Sequence, residues 1–353
     1  MTPLLDPASP PASIAVFRAL QLGDMLCAVP ALRALRRAFP QAHVALVGLP
    51  GAREFCARFH AYVDELIEFP GIPAFPEQPA RPQALPAFFR RMSRSGYDVA
   101  LQMHGSGARS NPLVERLGAR RWGGFVAEAA AEIPGQRLAW PDGLPEPRRY
   151  LALLRHLGLP AEDDGLEFPI GEADRNEARR LLREHALDPA RLVLMHVGAR
   201  LPSRRWPLER YAQVAQALAG QSWQVALTGT EAERGMTAEL RRRAGVPLAD
   251  LCGATALGGL AALVAGCRLL VCNDTGISHV AAAVGARSVV IACGSDAARW
   301  APLDRRRHAV LAADAPCRPC AYETCPIGHP CALAVSVPQV LACARAQLGR
   351  VEP

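Results

Sequence analysis

The chain has no lysine. All 40 residues of its Lys and Arg total are arginine, in a sequence of 353. Without an ammonium side chain, Schiff-base chemistry, a lysine general base and a Walker-type P-loop are excluded. Any phosphate clamp must be built from arginine or backbone N–H groups. Aromatic residues are scarce, at 6%, which argues against a base-stacking platform for nucleic acid. A long basic tail is also missing. The net charge of +7 is dispersed in short clusters such as Arg36-Arg37, Arg90-Arg91, Arg204-Arg205 and Arg305–Arg307. Nucleic acid is therefore not an expected partner; anionic small molecules or an anionic membrane surface fit better. No apolar run is fit to span a bilayer. Leu251–Cys267 carries four glycines, and Thr324–Ala344 is interrupted by Pro326, His329, Pro330 and Pro338. The opening MTPLLDPASPPAS has neither a basic n-region nor a long apolar stretch, so no signal peptide is expected and a cytoplasmic location is.

Half the residues are hydrophobic and 21% are charged, enough for a sizeable core. Runs such as VALVG, LVLMHV, LLVC and SVVIAC are continuously apolar, as in parallel strands buried on both faces. Strands are expected at Ile14–Ala19, His43–Gly48, Asp64–Phe69 and Asp98–Met103, then at Leu192–Val197, Gln224–Thr228, Arg268–Asn273 and Ser288–Cys293. Helical stretches lie between them, including Ala31–Ala38, Ala108–Leu117, Leu208–Ala219, Glu231–Arg243 and Leu257–Val264, with a last one at Val337–Leu348. Alternating βα units in two series predict an α/β protein of two Rossmann-like doubly wound domains, 1–169 and 170–353. The Pro-rich Gly71–Pro86 reads as a surface loop of the first.

Four segments can carry chemistry. Gln21-Leu22-Gly23-Asp24 follows the first strand, where open α/β sheets place ligands. Asp24 could simply cap a helix, but Pro30, six residues on, would kink one. A helix starting near Pro30, with 23–29 as a tight turn, would turn Asp24 toward a cleft. Asn273-Asp274-Thr275-Gly276-Ile277-Ser278-His279 joins a strand to an apolar helix, the setting for an anion site on backbone N–H groups. His196-Val197-Gly198-Ala199 leads to Ser203-Arg204-Arg205-Trp206-Pro207, which offers permanently charged phosphate contacts or an exposed loop anchored by Trp206. In Leu227-Thr228-Gly229-Thr230-Glu231-Ala232-Glu233 a carboxylate past a strand end can hold a ribose hydroxyl pair or favour a helix N-terminus.

Eleven cysteines are present. Cys27, Cys267, Cys272 and Cys293 sit in apolar runs and read as small core residues. Cys317, Cys320, Cys325 and Cys331 fall within fifteen residues in a C-x2-C-x4-C-x5-C spacing. They are either metal ligands or a set of reduced thiols in a C-terminal loop. The second pair lacks CxxC spacing, so no metal is assigned.

Taken in order, these segments resemble glycosyltransferase family 9, the ADP-heptose:lipopolysaccharide heptosyltransferases. LGDMLCAVPALRALRRAFPQAHVALVG is similar to the family's opening, and Leu251 through NDTGISHVAAAVGARSVVIACGSDAARWAPL to its nucleotide-sugar half. The resemblance implies a GT-B fold, with the two domains facing across a cleft. The first domain would receive the acceptor and the second would bind the nucleotide sugar. It implies Asp24 as catalytic base, Asp274, Thr275, Gly276 and His279 as the nucleotide-sugar loop, and Glu233 on the ribose side. Arg204 falls where the family usually has lysine, so the charge is kept on a differently shaped group. Gly198 belongs to the same donor set. The activity implied is inverting transfer of a heptose, or a related sugar, from an ADP-sugar donor substrate to a lipopolysaccharide-core hydroxyl, with no cofactor required. A lipid-linked oligosaccharide acceptor implies contact with the cytoplasmic face of the inner membrane. Alternatives are another nucleotide-sugar donor, a protein acceptor, or a silent nucleotide-sugar-binding protein. The last has no reason to keep a carboxylate at position 24.

Overall fold

The structure, a computed structural model, describes residues 3–350. The chain divides between Gly165 and Leu166 into two compact units; the sequence reading puts the boundary at Pro169. Each unit is a six-stranded, fully parallel sheet with helices.

In the first unit the strands are β1 (Ser13–Phe17), β2 (His43–Gly48), β3 (Glu65–Glu68), β4 (Val99–Gln102), β5 (Arg121–Val126) and β6 (Arg137–Ala139). Their spatial order is β3-β2-β1-β4-β5-β6. In the second unit β7 (Leu192–His196), β8 (Gln224–Thr228), β9 (Ala249–Asp250), β10 (Leu269–Asn273), β11 (Ser288–Ile291) and β12 (His308–Leu311) are arranged as β12-β11-β10-β7-β8-β9. Counted within each unit, both orders are the doubly wound 3-2-1-4-5-6. The strand order reverses at β1/β4 and at β7/β10, and ligands of open α/β sheets bind outside the carboxyl ends at that point. Register puts Phe17 beside Gln102 and His196 beside Cys272, so the loops leaving each strand pair start side by side.

The continuous apolar strands are explained by burial on both faces. In β7, Val193 and Met195 enter one core cluster while Leu192 and Leu194 enter another. The first unit's core gathers Phe17, Phe69, Phe88, Phe89 and Met92. Cys27, Cys272 and Cys293 are buried as expected, whereas Cys267 is half-buried.

Several elements depart from the sequence reading. β5 carries Gly123-Gly124 and opens on Arg121, and β6 and β9 are two or three residues long at sheet edges; neither pattern signals a strand. β12 follows three arginines and is only four residues long. The expected helix Ala108–Leu117 shrinks to Asn111–Glu115. Two helices, Leu85–Ser95 and Glu146–His156, emerge from Pro-rich stretches. In both the proline sits at the first turn, where its missing N–H costs nothing. The same rule corrects the turn at Asp24. A helix does begin at Val29, with Pro30 in its first turn, but Leu22–Leu26 forms a short helix of its own instead of an irregular turn.

Candidate functional site

At the first switch point Asp24 lies in the first turn of Leu22–Leu26 and is half-buried. It is not the N-cap; Gln21 is, without a side-chain bond. What holds this turn is Arg18, directly after β1 and fully buried. One guanidinium nitrogen donates to the Asp24 carbonyl and another to the Met103 carbonyl at 2.5 Å. The cation lies 4.3 Å over the Tyr150 ring and 3.9 Å from the Glu146 carboxylate, itself buried and accepting from the Tyr150 hydroxyl. Burial opposes the Arg18 charge, but Tyr150, Glu146 and Asp24 outweigh it and raise its pKa above the ordinary value. A buried cation with this partner set is stable only while the set is intact.

The sequence reading missed the loop beside it. After β4, His104-Gly105-Ser106-Gly107-Ala108-Arg109-Ser110 lines a cavity of about 310 Å³ with Phe75 and Glu77. Its organiser is Gln102, whose amide donates to the His104 carbonyl at 2.5 Å and Ser110 Oγ at 2.6 Å while its carbonyl accepts from Phe125 N at 3.0 Å. Gly107 has φ +90°, and a Cβ there would lie 2.2 Å from the Phe125 carbonyl, so only glycine fits. His104 Nδ1 accepts from Ala19 N at 3.3 Å, and its ring packs 4.2 Å from Phe75. Burial, with the Arg18 charge adding, holds it neutral with a pKa of about 3. The Gln21 side chain reaches the Glu77 carbonyl at 3.0 Å, so the Asp24 turn and this cavity share a wall. The available signal was a Gly-rich loop after the strand at 98–103.

At the second switch point Asn273 is the hub. Its Oδ1 accepts from Trp206 N at 2.9 Å and Tyr211 OH at 3.0 Å; its Nδ2 donates to the Val197 and Gly198 carbonyls at 2.8 and 3.3 Å. This locks the loops after β7 and β10 together. Asp274 is buried and accepts from Ser295 Oγ at 2.6 Å. Thr275 is the N-cap of helix Gly276–Ala283, yet its hydroxyl makes no capping bond. The first-turn N–H groups therefore receive no side-chain cap, as an anion site requires. His279 is buried in that helix, 6.3 Å edge-on from Trp300.

Glu233 meets Gly198: a Cβ at 198 would lie 1.8 Å from its carboxylate. The same carboxylate accepts from Thr230 N at 2.7 Å and Thr230 Oγ1 at 3.0 Å, a capping box. Neighbouring His196 is held below its ordinary pKa by burial, with Glu233 opposing. Arg204 closes a short turn, Pro202–Arg204. It donates to the Cys320 carbonyl at 3.3 Å, and its Nε is buried without a partner. Trp206 is buried, its ring N–H donating to the Val335 carbonyl at 3.0 Å, so this segment is anchored rather than a free loop.

The cysteine segment is the back wall of this site. Ser203 N donates to the Glu323 carbonyl at 3.0 Å, Cys320 N to Gly294 at 2.9 Å, and Arg318 to the Ser295 carbonyl at 2.8 Å. Cys317, Cys320, Cys325 and Cys331 line one cavity of about 70 Å³ with Ser203 and His329. Among the described residues no group of three or more His, Cys, Asp or Glu is arranged to hold a metal ion. Nor, among them, is any helix long and apolar enough to cross a membrane.

Two doubly wound units, each with polar loops at its switch point, define a two-domain α/β fold of the GT-B glycosyltransferase type. Residues 86–330 match the sequence profile of glycosyltransferase family 9 (heptosyltransferase), and the chain belongs to that family. It is thus a glycosyltransferase. Lipopolysaccharide heptosyltransferase 1 of Pseudomonas aeruginosa is 26% identical over 325 residues, covering 88% of this chain and 87% of that one. Lipopolysaccharide heptosyltransferase 2 of Escherichia coli is 30% identical over 174 residues, 46% of this chain and 49% of that one. In fold, the chain is similar to the family 9 glycosyl transferase from Veillonella parvula, with a TM-score of 0.79, 21% identity and 99% of both chains covered. It is also similar to the Escherichia coli ADP-heptose LPS heptosyltransferase II, with a TM-score of 0.70, 22% identity and 95% and 98% covered.

Proposed function

We propose that the protein transfers a heptose from ADP-heptose to a sugar hydroxyl of the lipopolysaccharide core, with Asp24 as general base and inversion at the anomeric carbon. The observation that carries this reading is the placement of the two residue sets at the two switch points. Asp24 sits at β1/β4; Gly198, Glu233, Asp274, Thr275 and Gly276 surround β7/β10. The names of the relatives supply the donor and acceptor.

A sugar hydroxyl is a weak nucleophile at neutral pH, so a carboxylate must accept its proton as the bond forms. Bond cleavage moves negative charge onto the departing diphosphate. Arg204 and the N–H groups at Thr275-Gly276 stabilise that charge, and no cofactor is needed to supply it. In-line attack opposite the leaving group inverts the configuration. Work at a lipid-linked acceptor places the enzyme at the cytoplasmic face of the inner membrane.

The test is purified protein with ADP-heptose and a core acceptor, following ADP release and product mass, with anomeric configuration read by NMR. Inverted heptose on the acceptor is expected. Faster turnover with another nucleotide sugar, or transfer only to a protein, overturns this assignment.

A further inference from the structure

Arginines of the second unit's arginine-rich helices are paired with carboxylates. In Glu172–Glu184, Arg179 meets Glu172 at 2.5 Å and Arg180 meets Glu184 at 2.7 Å. In Arg234–Ala244, Arg242 meets Glu239 at 2.7 Å and Arg243 meets it at 2.5 Å; Arg234 meets Glu231 at 2.6 Å. Helix Leu85–Ser95 of the first unit is built differently. Its sequence LPAFFRRMSRS holds three arginines and no carboxylate. Phe88, Phe89 and Met92 face the core, which leaves Ala87, Arg90, Arg91 and Arg94 as an exposed stripe at i, i+3, i+4 and i+7. The three arginines, with Ala87 and Ser95, border an open depression of about 450 Å³. Arg116, which follows the helix Asn111–Glu115, packs its guanidinium 4.1 Å over the Phe89 ring. Burial raises the Tyr97 hydroxyl pKa, with Glu65 adding and Arg91 opposing; Glu65 is itself 3.2 Å from His43, and Glu115 is 4.0 Å from Arg137.

We propose that this stripe, Arg90, Arg91 and Arg94, is the surface by which the protein docks on a bilayer of anionic phospholipid. The proposal rests on the reading that the acceptor is lipid-linked. A linear row of cations on a helix with small residues between them matches a plane of phosphate headgroups. A nucleic-acid strand is the poorer fit, because the exposed stripe offers no aromatic ring for stacking.

The probe is flotation of the full-length protein with phosphatidylglycerol/phosphatidylethanolamine vesicles, against phosphatidylcholine alone. Binding is expected only with phosphatidylglycerol and should weaken with salt. The triple variant R90E/R91E/R94E should lose binding by on the order of a hundredfold, and R90Q/R91Q/R94Q by less. A control, R234E/R242E/R243E, carries the same charge change on paired arginines and should retain binding within about threefold. On an acyl-free, water-soluble acceptor the R90E/R91E/R94E variant should turn over like the native enzyme. Unchanged vesicle binding in that variant, equal loss in the control, or retention on RNA but not on vesicles overturns the proposal. If native protein transfers to no lipopolysaccharide acceptor while the variant still loses vesicle binding, the acceptor reading fails and the docking surface stands.

Discussion

Asp24 and Glu233 show how a carboxylate's neighbours set its role. Asp24 sits on a turn whose carbonyl is gripped by a fully buried arginine. Asp24→Ala should lower turnover by at least about a hundredfold, the scale of a lost general base, with ADP affinity unchanged; near-native turnover would remove Asp24 from the mechanism. Glu233 has a structural task already, the capping box with Thr230, and glutamine also satisfies that box. Glu233→Gln should therefore keep the melting temperature yet weaken nucleotide binding, if the charge serves the ribose. Gly198→Ala forces the carboxylate off Gly198 and Thr230 together, so it should lose both binding and about 1 kcal/mol of stability. Calorimetric titration beside a melt tells the two apart, and equal stability loss in both variants would make Glu233 a cap alone.

At the scale of elements, the second site is a set of loops tied to one another. Asn273 makes four hydrogen bonds to buried groups of the β7 loop and the following helix. Asn273→Ala leaves those partners unmatched and should cost at least about 3 kcal/mol, as well as nucleotide binding. Gly276→Val differs, because Gly276 is the first residue of its helix, where a branched side chain would crowd a diphosphate approaching the first-turn N–H groups. It should abolish ADP-sugar binding while the melt stays close to native; a lowered melt with normal binding would reduce the segment to a helix cap. The cysteine segment belongs at this scale as well. Its spacing is visible in the sequence, but its contacts to Ser203, Arg204 and Ser295 are not.

For the whole molecule, buried histidines kept neutral set the acid limit: His104 and His308, with His196 lowered in the same direction by burial. His104 is held at about 3 by burial, helped by the Arg18 charge; His308, which bonds Ser288 Oγ at 2.8 Å, is held at about 4 mainly by burial. The ordinary value is 6.5. Between 6.5 and those folded values the unfolded chain binds protons that the native state refuses. Stability is thus full above pH 6.5 and declines as pH falls, by up to about 1.4 kcal/mol per unit for each histidine. Asp64 and Asp304, with pKa values below the ordinary 3.8, stay ionised in both states down to about pH 5 and add little there. Urea unfolding at pH 7, 6 and 5 should show this slope, and His104→Gln should flatten part of it. Equal stability at pH 7 and 5 would refute it.

The two parallel-sheet units were legible in the chain, because continuous apolar strands and their spacing are local patterns. So were the loops that carry Asp24, Gly198, Arg204, Glu233 and Asp274–His279, because a glycine, a carboxylate or an arginine just past a strand is legible without neighbours. The sequence did not reveal β5, β6, β9 and β12, which are too short or too glycine-rich to signal and form because a neighbouring strand offers its edge. That Arg18 grips Asp24, that Gln102 shapes the His104 cavity and that Glu233 fills the space of a missing Cβ at Gly198 emerges only from packing. Each of these joins residues from separate strands, loops or helices. Burial explains this: a charge or amide becomes a partner only after packing removes the water that would otherwise satisfy both groups.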